Sequence, residues 1–314
     1  MKLKQRLLAS AALALALVNP LNAAEPYRVG YNNWIGFISF FVAQENGAFE
    51  KAGLDVVGKS FNAPGEGLVP LLSGNLDAHL TTLDSVILKA ANAPGKLSIV
   101  SLVDTSAGAD ALVAKKSIKE LASLKGARIG VTIGECNDVL LGKALEKAGL
   151  SRKEVNITNL DPDAAGAALK AGSVDAAVTW EPWISQLAGN SGANVLFSTA
   201  DTPNLLLDCV AVSTNDKRAE ETKKFIAVLD ETTKFVRENP EQAAKLVSKT
   251  IEVPADEIVD MLTKLKLYDS AESKAQMADT VVTIGEELSA FFKAQDIISK
   301  DVDISEILKP DYLP

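Results

Sequence analysis

The sequence predicts an α/β protein of two similar lobes, each a mixed sheet flanked by helices, joined by two strand crossings. Three observations carry that expectation. Short apolar runs suited to buried strands alternate with helix-period segments over most of the chain. Four short matches recur in the same order, 96–100 residues apart: Arg28-Val29-Gly30 with Arg128-Ile129-Gly130, Glu50-Lys51-Ala52-Gly53-Leu54 with Glu146-Lys147-Ala148-Gly149-Leu150, Gly74-Asn75-Leu76-Asp77-Ala78 with Gly172-Ser173-Val174-Asp175-Ala176, and Asp84 with Glu181. Finally, apolar segments at 111–114 and 209–213 are placed to carry the chain out of the first lobe and back. The expected division is a leader over 1–23, lobe I over 24–112 and 211–314, and lobe II over 113–210.

The first lobe opens with a strand over 28–32, a turn at Asn33-Trp34-Ile35-Gly36, and a helix over 37–49 with Phe40, Phe41, Ala43 and Ala48 on its apolar face. Gly53 ends that helix, since glycine takes the left-handed capping conformation without strain. A strand over 54–61 follows, then the Pro64-Gly65-Glu66-Gly67 loop, a helix over 68–72 and a strand over 78–82. Asp84 or Ser85 offers an oxygen to cap a helix over 86–91, and 97–103 is a further strand. A strand over 111–114 leaves the first lobe, a short helix over 117–124 follows, and a strand over 128–133 opens the second lobe. The loop Gly134-Glu135-Cys136-Asn137 launches a helix over 139–148 whose first N–H groups could receive an anion. Strand 155–160, helix 163–171, a strand ending near 178 and strand 194–197 complete the lobe. Beyond 217 the pattern is helical, over 220–238, 240–250, 255–265 and 275–294.

The N-terminus reads as a secretory leader. Lys2, Lys4 and Arg6 precede an apolar run over 7–18, Asn19-Pro20 breaks it, and Ala23 offers a cleavage site before Ala24. The run is short for a membrane span. Removing it takes the formal charge from −9 to −12, which excludes nucleic acid as an expected partner. Of 314 residues, 47% are hydrophobic and 23% charged, ordinary for a globular protein. An exported compartment permits a Cys136–Cys209 bridge, and two separate buried thiols fit the sequence as well. The single histidine, His79, lies inside an apolar strand and reads as a core residue. No metal-ligand spacing, phosphate loop, dinucleotide fingerprint or nucleophile elbow occurs, so neither cofactor nor metal is expected, and binding is favoured over catalysis.

Two of the three tryptophans flank a carboxylate in Thr179-Trp180-Glu181-Pro182-Trp183, directly after a predicted buried strand. Open α/β sheets place ligands at such strand ends, so this stretch is a candidate recognition tip.

Val29-Gly30-Tyr31 with Trp34-Ile35-Gly36, Asp104-Thr105-Ser106-Ala107-Gly108-Ala109-Asp110, Leu124-Lys125-Gly126 with Arg128-Ile129-Gly130-Val131, and the stretch 171–182 resemble a type II periplasmic solute-binding protein. The closest resemblance is to the nitrate/sulfonate/taurine group of ABC-transporter binding proteins, which also includes binders of pyrimidine precursors. It covers essentially all of the mature chain. It implies a monomeric periplasmic receptor, a small-molecule ligand in the interlobe cleft, and an ABC permease in the inner membrane as partner. The cleft is then expected to be lined by Asn33, Trp34, Asp84, Ser85, Asp110, Glu135, Cys136, Trp180, Glu181, Trp183 and Asp208. Sulfonate binders hold their anion with hydroxyl and backbone N–H groups; here the positions carry acids and aromatics instead, and arginine is scarce. Aromatic faces beside carboxylates suit an organic cation, so the expected ligand is a guanidinium-type ion, an amine or a zwitterion such as taurine, its anionic end on the Gly134 loop. The alternatives are an alkanesulfonate, nitrate or a pyrimidine precursor, an enzyme on the same fold, or a sensory receptor without transport. On the cation reading, Glu181→Gln weakens binding tenfold or more, about 1.4 kcal/mol.

Overall fold

The computed structural model describes residues 25–314; the expected leader and its cleavage site lie outside the described residues. Eleven strands form two sheets among these residues. The strands are β1 (Tyr27–Asn32), β2 (Val56–Phe61), β3 (Ala78–Thr82), β4 (Leu97–Ser106), β5 (Asp110–Ala114), β6 (Arg128–Val131), β7 (Asn156–Asn159), β8 (Ala176–Trp180), β9 (Asn194–Ser198), β10 (Leu207–Ser213) and β11 (Leu265–Leu267). The first sheet runs β11-β4-β10-β3-β1-β2 and the second β7-β6-β8-β5-β9. In each, a parallel core is joined by antiparallel strands: β10 lies between β3 and β4, and β5 lies between β8 and β9.

The helices are α1 (Ile38–Glu45), α2 (Ala48–Lys51), α3 (Leu68–Leu72), α4 (Leu83–Asn92), α5 (Cys136–Lys147), α6 (Pro162–Lys170), α7 (Trp183–Ser191), α8 (Ala219–Glu238), α9 (Pro240–Val247), α10 (Ala255–Leu262), α11 (Ser270–Met277), α12 (Thr280–Ala294) and α13 (Ile304–Ile307). On one face of the first sheet, Phe40, Phe49 and Phe225 join Val29 and Leu80 in an apolar core. A second core, with Leu83, Ile87 and Phe292, lies under α4 and α12 and continues through Leu140 and Val139 of α5 into lobe II. The far face of the second sheet packs Ala111 and Val113 against Ala165 and Leu187.

The internal repeat is structural. Asp77 receives the backbone N–H, Nε and Nη2 of Arg28, and Asp175 receives the same three groups of Arg128. Thr81 donates its hydroxyl to the Pro64 carbonyl and Thr179 to the Pro162 carbonyl, both at 2.7 Å. The same loop-to-strand ties recur because the same residue types recur at the same spacing.

Several boundaries differ from the sequence reading. The helix expected over 37–49 is split at Gly47, which sits at φ +67. The segment 117–124 forms only a 3-10 turn at Leu121–Leu124, too short to sustain a helix. The helix expected over 275–294 is two, α11 opened by an Asp269/Glu272 capping box and α12 starting after Asp279. The three-residue edge strand β11, on β4, was not expected. Because β5 starts at Asp110 and pairs wholly within the second sheet, the crossings fall at 107–109 and 199–206, earlier than expected. They are tied together: the Ser106 and Thr199 hydroxyls are 2.8 Å apart, and the Gly108 N–H donates to Thr199. Away from the crossings, α5 of lobe II meets α12 of lobe I. Gly142 lies flush on the Phe291 ring, where a side chain would collide, and Lys143 pairs with Glu287.

Candidate functional site

The strand ends of the two sheets face each other and place polar side chains in a closed interlobe cleft. Asn32 ends β1 and Thr82 ends β3. Asp208, at the start of β10, stands opposite Thr82 on one side and opposite Asp104 of β4 on the other. From lobe II, Asp110 opens β5 directly opposite Trp180, which ends β8. Asn32, Trp34, Asp208, Asp110, Cys136 and Trp180 line a space of about 10 Å³, the room of about one water. All six are buried.

Five carboxylates converge here: Asp84, Asp104, Asp110, Glu135 and Asp208. Among the described residues none of the five is ion-paired with a lysine or arginine. Burial pushes Asp84 up to about 6, offset by the Thr82 hydroxyl and by the N–H groups of Ser85 and Cys136. Asp110 rises to about 7, first through burial and then through the charges of Asp104, Asp84 and Glu181. Glu135 rises to about 8 through burial and the charge of Asp84. Asp104 and Asp208 hydrogen-bond each other, and burial raises both. Two carboxylates in contact share a proton rather than ionise together.

Several polar atoms here have no protein partner among the described residues: both amide atoms of Asn32, and one oxygen each of Asp84, Asp104 and Glu135. Native interiors rarely leave buried polar atoms unpaired, so these mark the cleft as a place for a polar solute. Gly36 permits part of the arrangement, since any side chain there would strike the Asp104 carboxylate and the Trp34 indole. The lobes also seal each other. Asp84 of lobe I faces the Cys136 N–H at the start of α5, and Glu135 of lobe II lies against Gly65, with its Oε1 2.7 Å from where a β-carbon would stand.

Of the residues expected in the cleft, Trp34, Asp84, Ser85, Asp110, Glu135, Cys136, Trp180 and Asp208 are brought together there. Ser85 accepts from the Thr82 hydroxyl at 2.9 Å. Trp34 and Trp180, one from each lobe, have ring centroids 6.0 Å apart at 45°. Trp34 donates to Asp104 at 3.2 Å and Trp180 to Asp163 at 3.0 Å.

Four expectations need correction. Asn33 is exposed on an outer groove, and its neighbour Asn32 is the inward residue, because the strand end turns only one of the two side chains into the cleft. Trp183 lies in the same outer groove, only half-buried, and donates to Asp163. Glu181 is buried but engaged: it accepts from the Ser185 N–H and hydroxyl at the start of α7 and pairs with Lys264 at 2.7 Å. The anion site expected at the Gly134 loop is also altered, since the Gly134 N–H donates to Asp138 and Asp84 faces the Cys136 N–H.

Asn32 and Asp104 were missed; an aspartate directly after the apolar run 97–103 is the signal that could have found the second. Cys136 and Cys209 are free, buried thiols. Burial, then the surrounding carboxylates, pushes both well up, which disfavours the thiolate a nucleophile needs. His79 is a core residue, its Nε2 2.8 Å from the Pro64 carbonyl oxygen. Among the described residues no cluster of three or more His, Cys, Asp or Glu could hold a metal ion, and no helix is long and apolar enough to cross a membrane.

Two lobes, two crossings and a closed polar cleft at the strand ends define a two-lobed solute-binding protein fold. The chain belongs to the NMT1/THI5-like family, whose model matches residues 34–243. It is 30% identical over 259 residues to a binding protein of Brucella abortus (strain 2308), covering 80% of each chain. The periplasmic aliphatic sulphonate binding protein SsuA from Escherichia coli matches with a TM-score of 0.74 at 25% identity, covering 91% of this chain and 97% of that one. The desulfurization enzyme DSZB shares the fold at a TM-score of 0.67 and 16% identity, over 91% of this chain and 97% of that one.

Proposed function

We propose that this protein is a periplasmic receptor of an ABC importer that closes on a small organic cation, or on a zwitterion presenting its cationic end. The family and the two-lobed fold support the receptor role, and a permease of the inner membrane is the partner that role requires. One observation carries the choice of ligand: five carboxylates surround the cleft and none is matched by a basic residue among those described. A buried charge without a partner is costly, and a ligand cation supplies that partner. Asn32, Asp84, Asp104, Asp110, Glu135 and Asp208 are proposed to contact it, with Trp34 and Trp180 against its face.

An alkanesulfonate is the second reading, favoured by the likeness to the E. coli sulphonate binder. Against it, the helix N-terminus suited to a sulfonate already faces Asp84. An enzyme on this fold is the third reading; the protonated Cys136 and the core position of His79 leave no evident nucleophile and base pair.

Titration of intrinsic tryptophan fluorescence decides among them. Guanidinium, methylammonium, choline and taurine are set against nitrate and ethanesulfonate. Saturable binding of a cation or of taurine supports the proposal, and saturation by ethanesulfonate or nitrate alone overturns it. Chemical turnover of a bound solute would move the protein to the enzyme reading.

A further inference from the structure

We infer that the cleft selects a compact cation with several N–H groups, of the guanidinium or amidinium type, and excludes quaternary ammonium ions. The inference rests on the cation reading and narrows it. Buried atoms without a protein partner at and around the cleft are mostly acceptors: Asn32 Oδ1, which lines it, and one oxygen each of Asp84 and Glu135 at its edge. They come from different directions, Asn32 and Asp84 from lobe I and Glu135 from lobe II. A solute meeting them must donate around its edge. Asn32 carries the argument furthest. Its side chain is 1% exposed, lines the space and has no protein partner for either amide atom. A neutral amide adds little charge attraction, so its burial in the cleft is explained by hydrogen bonding to the solute.

The aromatic pair completes the shape. Trp34 and Trp180 approach from opposite lobes at 6.0 Å, so a flat ion can meet indole with its face and acceptors with its edge. With the lobes shut the space left is about 10 Å³, the room of about one water, so the lobes part least for a solute of few atoms. A quaternary ammonium satisfies the charge but donates nothing, and would seal these acceptors away from water unpaired. Sites built to hydrogen-bond reject analogues lacking the donor by roughly 10⁴–10⁵-fold at best.

Calorimetric titration of the mature protein tests charge and donors separately. Urea matches guanidinium in shape without its charge, and tetramethylammonium matches methylammonium in charge without its donors. The expected order places guanidinium at least a hundredfold above urea, and methylammonium at least tenfold above tetramethylammonium. Tetramethylammonium binding as well as guanidinium would overturn the donor rule and leave the cation reading standing. Urea binding as well as guanidinium, or ethanesulfonate as the sole binder, would overturn the cation reading itself. Asn32→Ala is expected to weaken guanidinium at least tenfold with its melting temperature retained; unchanged affinity in a folded Asn32→Ala protein would remove Asn32 from the site and overturn its part in the argument. Should that variant fail to fold, the solute series on the unaltered protein still decides.

Discussion

The far ends of the two sheets and the ends at the cleft treat the same residue type in opposite ways. At the far ends, Asp77 meets Arg28 and Arg218, and Asp175 meets Arg128 and Lys115. At the cleft, Asp84, Asp104, Asp110 and Asp208 are buried with acids for company. The first arrangement stabilises each lobe by itself and is duplicated between them. The second works against the closed, unliganded form, and the lobes differ there: at matching strand ends, lobe I offers Thr82 and an unpaired Asp84, and lobe II offers Trp180 and a Glu181 neutralised by Lys264. Scaffold and recognition are thus separated along the same strands.

The largest effect is expected at the far end. Asp77→Ala strands two arginines and a backbone N–H, and should destabilise by about 2 kcal/mol, discounted for the partial exposure of Arg28. A thermal melt should show a fall of about 4–8 °C. Asp175→Ala, whose partners are about half exposed, should lose roughly half of that. Equal losses would mean the two ends are energetically, as well as geometrically, equivalent.

Cleft aspartates should respond in the opposite direction. Their carboxyls titrate higher in the folded protein than in the unfolded chain, so the folded form retains protons after the unfolded form has released them. Stability is then full below the unfolded values near pH 4 and declines as pH rises through about 6 to 8, where Asp84, Asp110 and Glu135 titrate. Melts of the ligand-free protein at pH 5 and pH 8 should show the drop. Asp208→Asn removes one member of a like-charge cross-strand pair and should raise stability at pH 8 by about 1 kcal/mol, while lowering guanidinium affinity. A variant that loses stability instead would show that the Asp104–Asp208 hydrogen bond outweighs the repulsion between them.

Much of the scaffold was legible because it is local. The Arg28/Asp77 and Arg128/Asp175 matches, and the strands around them, are short segments whose partners recur at fixed spacing. The cleft was partly legible, since acids at strand ends can be read from the chain. What could not be read was which acids are already answered. Lys264 lies 83 residues from Glu181, and only the fold brings them together. Asn33 in place of Asn32 is a one-residue error, of the size that decides which way a side chain points at a strand end. Asp104 was read as lying just past its strand, so its place opposite Asp208 was not seen.

Glu181→Gln is therefore expected to behave unlike the sequence reading: about 1 kcal/mol of stability lost with Lys264, and guanidinium affinity changed less than threefold by calorimetry. The smallest effect sharpens the repeat. Thr81→Val and Thr179→Val each remove one hydroxyl-to-carbonyl bond of 2.7 Å and should each lose about 1 kcal/mol in chemical denaturation.

The contact of α5 with α12 has a kinetic consequence. With Trp34, Trp180, Asp110 and Cys136 all buried, the shut cleft offers a solute no entrance, so capture waits on molecules that have momentarily parted their lobes. Part of what holds the lobes shut lies away from the solute space, where Gly142 rests on Phe291 and Lys143 reaches Glu287. Loosening that clasp with Lys143→Ala would enlarge the parted fraction and quicken both arrival and departure of the solute. The clasp is in that sense a timer, adjustable without touching any group the solute meets.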